Sequence, residues 1–278
     1  MGLTKYRLII SDLDGTLVNH GSHSVSEAAI SSISLLEGKN ISFTIGTGRS
    51  WKQAKDIAKT LSITVPVIVQ AGAIIVDPVT EKTLRQQPLR RKIADQLSGI
   101  LNFTEVDQFC LSETGSYFTA RVNTSGGNRL LTGREECCVT DSMEYKNSSI
   151  IKYLFIGPEI FLSRLSEKIR KEIKPQPNMV LWPPAPGEND WFLEVFDPLA
   201  SKGQALRWLA KYLKINLYQV IAFGDGFNDI DMLQHAGVGV AMENAPQPVA
   251  SKARFIIPGP EQDGIARFIN EFCYKGAV

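Results

Sequence analysis

Ile9-Ile10-Ser11-Asp12-Leu13-Asp14-Gly15-Thr16-Leu17 places two carboxylates two residues apart at the end of an apolar run. The run over 6–11 is too short for a helix and reads as a buried strand. In extended backbone alternate side chains share a face, so Asp12 and Asp14 point the same way until the chain turns at Gly15. Two crowded carboxylates repel and lose hydration, which suggests a cation between them. Asp-Gly is equally the ordinary turn that ends a core strand, with no chemistry attached. The rest of the chain decides between the two.

Downstream, Ser24 and Glu27 read as a capping box, Ala29, Ile30, Ile33 and Leu36 recur at helical spacing, and Gly38 supplies a stop. A second strand over 41–45 ends at Gly46-Thr47-Gly48-Arg49. Ser50 then caps a helix to about residue 61, and strands over 67–69 and 74–76 flank Ala71-Gly72-Ala73. This β-α-β-α-β alternation predicts a parallel sheet with helices on its faces. Between 83 and 187 the rhythm changes to a helix over 89–101, a strand-like piece over 117–122, a loop over 123–128, a strand over 150–156 and a helix over 159–173. These read as an inserted α+β module. A strand over 191–196 leads back into Asp197-Pro198-Leu199-Ala200-Ser201-Lys202-Gly203, and the wound pattern resumes with an apolar strand over 220–223 that ends at Gly224-Asp225-Gly226-Phe227-Asn228-Asp229.

With 278 residues, 44% of them hydrophobic and 21% charged, the chain has enough apolar material for two domains. A formal net charge of +1 supplies no strong field to recruit nucleic acid or acidic lipid. No apolar run approaches the ~20 residues that span a bilayer, and the expected compartment is the cytoplasm. Cys110, Cys137, Cys138 and Cys273 form no CxxC pair and read as reduced thiols.

Polar clusters therefore stand out at one topological location: Asp12/Asp14, Thr47/Gly48, Lys202 at a helix start, and Asp225/Asn228/Asp229. Most follow the carboxyl ends of predicted parallel strands, where open α/β sheets gather ligands. Each cluster taken singly has a conformational explanation as a turn or a helix start. Together they hold the parts of a phosphoryl-transfer site. Oxygen donors suit Mg²⁺, and His20, His23 and His235 are not spaced as a zinc pair.

In this order the clusters resemble the motifs of the haloacid-dehalogenase superfamily of phosphohydrolases, and Gly239-Val240-Ala241-Met242-Glu243-Asn244-Ala245 with Asp263-Gly264 is similar to its Cof-type branch, subfamily IIB. The resemblance implies a Rossmann-like doubly wound core over 1–82 and 190–278, and an α+β cap over 83–189 that selects the substrate. It implies Asp12 as nucleophile, Asp14 as acid and base, and Lys202 as neutraliser of the nucleophile and phosphoryl group. Thr47, Gly48, Lys202 and Asn228 would bind phosphate. Mg²⁺ would be held by the carboxylates of Asp12 and Asp225 and the carbonyl of Asp14, with Asp229 holding metal-bound water. One departure is Ala71, where relatives carry Asn.

The expected activity is hydrolysis of small phosphomonoesters, foremost sugar phosphates, by a monomer or homodimer without nucleic-acid or membrane partners. A phosphomutase on the same fold and a non-catalytic phosphate-binding regulator are the alternatives. In the cap, Arg121, Asn123, Trp182, Glu188, Asn189, Asp190 and Trp191 are candidates for the leaving group, the tryptophans equally for packing.

Overall fold

All residues of the strand Leu8–Ser11 are buried, because both faces of the sheet it centres are covered. The computed structural model describes residues 5–275 except 21, 23, 99, 101–104, 114–115, 133–136, 140–148 and 185–186. The chain divides into two compact units, Met1–Arg85 with Ser201–Val278, and Gln86–Ala200.

In the first unit parallel strands run in the order Phe255–Ile257, Val238–Met242, Val220–Gly224, Leu8–Ser11, Ser42–Ile45. Leu8 and Ile10 with Val220 and Ala222 pack on one face against Ala205, Leu206 and Leu209 of the helix Lys202–Tyr212. Ile9, Ile221, Phe223 and Val240 pack on the other against Ile33, Ile57 and Ile269 from three further helices. The chain leaves Leu8–Ser11 toward Ser42–Ile45 and later returns on its other side at Val220–Gly224. The gap between those two departures is the switch point where such sheets bind ligands.

Two local expectations change. The first helix, Glu27–Ser34, is capped by Ser26, whose hydroxyl accepts from the Ala29 amide. Ser24 does not form the expected box, because its own amide is bound to the Ser22 hydroxyl. The strand Val67–Val69 joins the parallel sheet through the bridge Gly46↔Ile68 and then folds back as an antiparallel hairpin with Ile74–Val76.

The second unit is a sheet in the order Asn178–Trp182, Trp191–Phe196, Ile150–Gly157, Asp107–Ser112, Tyr117–Thr119, Cys137–Val139, antiparallel except for its last pair. The helices Arg91–Ser98 and Glu159–Glu172 cover one face with Ile93, Leu97, Leu162, Leu165 and Ile169 against Tyr153, Phe155, Leu193 and Val195. The first of these stops short of the helix expected over 89–101, whose last residue lies outside the described ones. Trp191–Phe196 pairs on both sides within this sheet, so this unit runs on to Ala200, past the boundary expected at 189.

Residues 123–128, expected as a loop, contain the start of the helix Ser125–Thr132. Asp107, fully buried, accepts from the amides of Asn123 and Thr124, the Thr124 hydroxyl accepts from Gly127, and Asp190 accepts from Gly126. These acceptors satisfy the donors of a helix whose first turn holds two glycines. Cys110 is buried; the side chains of Cys137, Cys138 and Cys273 lie outside the described residues.

Candidate active site

Asp12 continues the ladder of the central strand, its amide donating to Phe223 O at 3.0 Å. Gly46 donates to Ser11 O at 2.8 Å, so the Thr47-Gly48-Arg49 loop leaves the sheet beside Asp12. On the opposite side Asp225 follows Val220–Gly224. Gly15, at φ +80°, brings its loop close against Asp225, whose Oδ2 would lie 2.4 Å from a Cβ on that glycine. Thr16 Oγ1 donates to Asp225 Oδ1 at 2.7 Å.

Lys202 enters from the start of its helix, which Ser201 caps by accepting from Gln204. The turn after Val67–Val69 holds that start in place: Gly72, at φ +97°, lies so close that a Cβ there would sit 2.2 Å from Ser201 O. Lys202 Nζ lies 2.8 Å from Asp12 Oδ1 and 2.6 Å from Asp229 Oδ1. The other oxygen of Asp229 accepts from the amides of Asp225 and Gly226 at 3.1 and 2.9 Å, which closes the loop on itself.

Oxygens of Asp12, Asp225 and Asp229 lie within 4.8 Å of one another, and all three residues are buried. Burial, then the charge of Asp229, raises Asp12 well above the usual carboxylate range against the pull of Lys202. Burial likewise raises Asp225, opposed by the Thr16 hydrogen bond. For Lys202 burial works downward, but Asp12 and Asp229 outweigh it and hold the ammonium above its usual range. Three carboxylates around one ammonium leave a deficit of positive charge among hard oxygen donors. A magnesium ion fits that donor set.

Asp14 is separate from this group. Its carboxylate receives Arg49 Nε at 2.9 Å on Oδ2 and Arg49 Nη2 at 2.6 Å on Oδ1. Thr47 is buried, its hydroxyl accepting from the Arg49 amide at 3.1 Å. Gly48 is half-buried beside it. Asn228 Nδ2 is a buried donor without a hydrogen-bond partner among the described residues.

Several functional contacts were not read in the sequence. Arg49 and Thr16 sit inside the motifs, but their partners are far along the chain or in the opposite loop. His20 Nε2 lies 3.8 Å from Asp225 Oδ2, while His23 lies outside the described residues. In the second unit Trp182 Nε1 donates to Glu194 at 2.9 Å, Glu188 pairs with Arg129 at 2.6 Å, and Trp191 packs on the apolar core. Those candidates for the leaving group therefore have partners within their own unit.

A doubly wound sheet with aspartates at its switch point and a lysine delivered from a later helix defines a class of hydrolase. Residues 9–269 match the haloacid dehalogenase-like hydrolases, and the chain belongs to that family. It is similar to phosphatase YwpJ of Bacillus subtilis, 29% identical over 95% of this chain and 98% of that protein. It is also similar to the HMP-PP phosphatase of Enterobacter sp. (strain 638), 26% identical over 96% of this chain and 95% of that protein. Among solved structures, the phosphatase BT1666 of Bacteroides thetaiotaomicron superposes with a TM-score of 0.79 at 22% identity, over 97% of this chain and 96% of that one, which shows the shared fold. Among the described residues no helix is long and apolar enough to cross a membrane.

Proposed function

We propose that the protein is a Mg²⁺-dependent phosphatase of small phosphomonoesters, sugar phosphates foremost, working through an aspartyl-phosphate on Asp12. The observation that carries this reading is the buried Lys202 bridging Asp12 and Asp229 beside Asp225. An ammonium so placed holds the Asp12 carboxylate in line with the end of its strand and neutralises charge that builds on the phosphoryl oxygens.

The reaction runs in two displacements. An Asp12 carboxylate oxygen forms a bond to phosphorus, the bond from phosphorus to the leaving oxygen breaks, and that oxygen takes a proton from Asp14. Water then attacks phosphorus and gives a proton to Asp14, the bond from Asp12 to phosphorus breaks, and inorganic phosphate leaves. The sum is ester plus water to alcohol plus phosphate. Thr47, the Gly48 amide and the unpartnered Asn228 Nδ2 would receive the phosphoryl oxygens. Asp12 and Asp225 with the Asp14 carbonyl would hold Mg²⁺, which supplies positive charge to these carboxylates and to the phosphoryl group. Asp229, with Lys202 and two amides already on its oxygens, would steady the site and water bound there.

The test is phosphate release from a panel of sugar, nucleotide and vitamin phosphates with Mg²⁺ and with EDTA. Turnover is expected with Mg²⁺ only, and Asp12→Asn is expected to abolish it while the protein stays folded. Full activity in that variant would end the assignment. Sugar phosphates no better than a generic aryl phosphate would remove the sugar preference.

A further inference from the structure

We propose that Arg49 is the positioning residue for Asp14 in the second displacement, holding its carboxylate where it takes the proton from attacking water. The inference rests on the phosphatase reading above, and the experiment separates the two.

Arg49 meets Asp14 fork to fork, Nε to Oδ2 at 2.9 Å and Nη2 to Oδ1 at 2.6 Å, so both carboxylate oxygens accept from one rigid plane. The guanidinium side chain is only 10% exposed, whereas Asp14 is 31% exposed at the rim. The arginine is itself anchored. Its amide donates to the Thr47 hydroxyl at 3.1 Å, its carbonyl accepts from Gln70 at 2.9 Å, and Nη2 also donates to Ser22 O at 2.6 Å, beyond the aspartate loop. Ser50, the next residue, opens a helix through a complete capping box with Gln53.

Two parallel bonds from one rigid plane restrict the rotamers open to a half-exposed aspartate in a turn. Near-attack geometry tolerates little such freedom, and a misplacement of about 1 Å is enough to cost roughly 10²-fold. The fork fixes both oxygens of Asp14 in one plane, and that carboxylate is the group that accepts the water's proton. In that step oxygen of water bonds to phosphorus, the bond to Asp12 breaks, the proton passes to Asp14, and phosphate departs. The proton left on Asp14 is the one the next leaving oxygen collects. The rival role for Arg49 is direct anchoring of the substrate's phosphate.

Kinetics with 4-nitrophenyl phosphate distinguish these roles, because its leaving group departs without acid help and kcat/KM reports only the first displacement. Arg49→Ala is expected to lower kcat by about 10²-fold and KM in parallel. The variant should leave kcat/KM within about 3-fold of the parent and release a burst of nitrophenolate approaching one equivalent per enzyme. In an Asp14→Asn background the same substitution should change kcat by less than about 2-fold, as groups acting as one unit are non-additive. Arg49→Lys keeps the charge without the fork and should give the same burst. It carries the comparison if Arg49→Ala does not fold. A fall in kcat/KM as large as that in kcat, an unchanged kcat, or full rescue by lysine overturns the inference. Asp12→Asn run alongside is expected to show no burst and no turnover. Activity there would sink the phosphatase reading instead.

Discussion

Lys202 Nζ stands 2.6 Å from Asp229 Oδ1, and neither side chain retains exposed surface. Charges that deep are tolerable only as a matched, hydrogen-bonded set. Here the set extends from Asp12 through Lys202 to Asp229 and on to the amides of Asp225 and Gly226. The strand that ends at Asp12, the Lys202 helix and the second aspartate loop are thus joined by one ammonium.

Lys202→Met should break that join. It strands two buried carboxylates, so the expected loss of stability is about 3–5 kcal/mol, read by urea denaturation. Activity should fall by about 10³-fold or more, since charge on the transferring group is left uncompensated. A variant that keeps wild-type stability would mean that the carboxylates take up protons at no cost to the fold.

The raised carboxylates predict how metal and pH act together. In the folded chain Asp12 and Asp225 hold protons above the usual carboxylate range. Their contribution to stability is fully present below the unfolded value of about 3.9 and is lost as pH rises through the folded value. As pH rises through those folded values the cluster gains uncompensated negative charge, so Mg²⁺ should raise Tm more at pH 7.5 than at pH 5. Ligand present at about 100 times its Kd adds about 2.7 kcal/mol. Asp225→Asn should shrink the response. An equal Mg²⁺ shift at both pH values would refute the link between protons and metal.

How much of this was legible follows from which contacts are local. The strands at Leu8–Ser11 and Val220–Gly224 are apolar runs because both faces are buried, and their terminal aspartates were read directly. The helix Ser125–Thr132 was not, because Asp107 holds the Thr124 just before it and Asp190 accepts from its Gly126 amide, both remote in the chain. Trp191–Phe196 was read as a strand, but whether its partners lie in the first sheet or the second is a property of distant residues. Arg49 and Asp14 are separated by 35 residues, and no spacing rule connects them.

Ala71 carries strain visible only in the structure. It sits at φ 53° and ψ 29°, left-handed backbone that a Cβ disfavours by roughly 1–2 kcal/mol. Its amide is pinned to Thr47 O at 2.9 Å, so the turn cannot relax. Ala71→Gly relieves the Cβ but adds freedom to the unfolded chain worth about 0.4–1 kcal/mol. The net expectation is a gain of about 0.5–1 kcal/mol, seen as a Tm rise of about 2 °C. A fall in Tm would show that the alanine methyl, 2% exposed, packs well enough to outweigh its backbone.

Within the second unit Lys152 donates to Glu194 Oε1, and Trp182 Nε1 donates to the other oxygen at 2.9 Å. Tyr117 and Phe196 flank the ammonium with ring centroids at 5.8 and 5.6 Å. For Lys152 burial works downward, yet Glu194 holds it above its usual range. Removing either partner leaves one buried charge and, for Glu194, an unpaired indole N–H. Lys152→Met and Glu194→Leu should each cost about 3–5 kcal/mol. The double variant restores a neutral, packed site and should cost less than either single change, with the Trp182 donor accounting for about 1–3 kcal/mol of what remains. Urea melts of the three variants complete the cycle. Additive losses would mean the ammonium and carboxylate are held by their other neighbours rather than by each other, so that the tyrosine and phenylalanine rings, not Glu194, keep Lys152 charged inside the sheet.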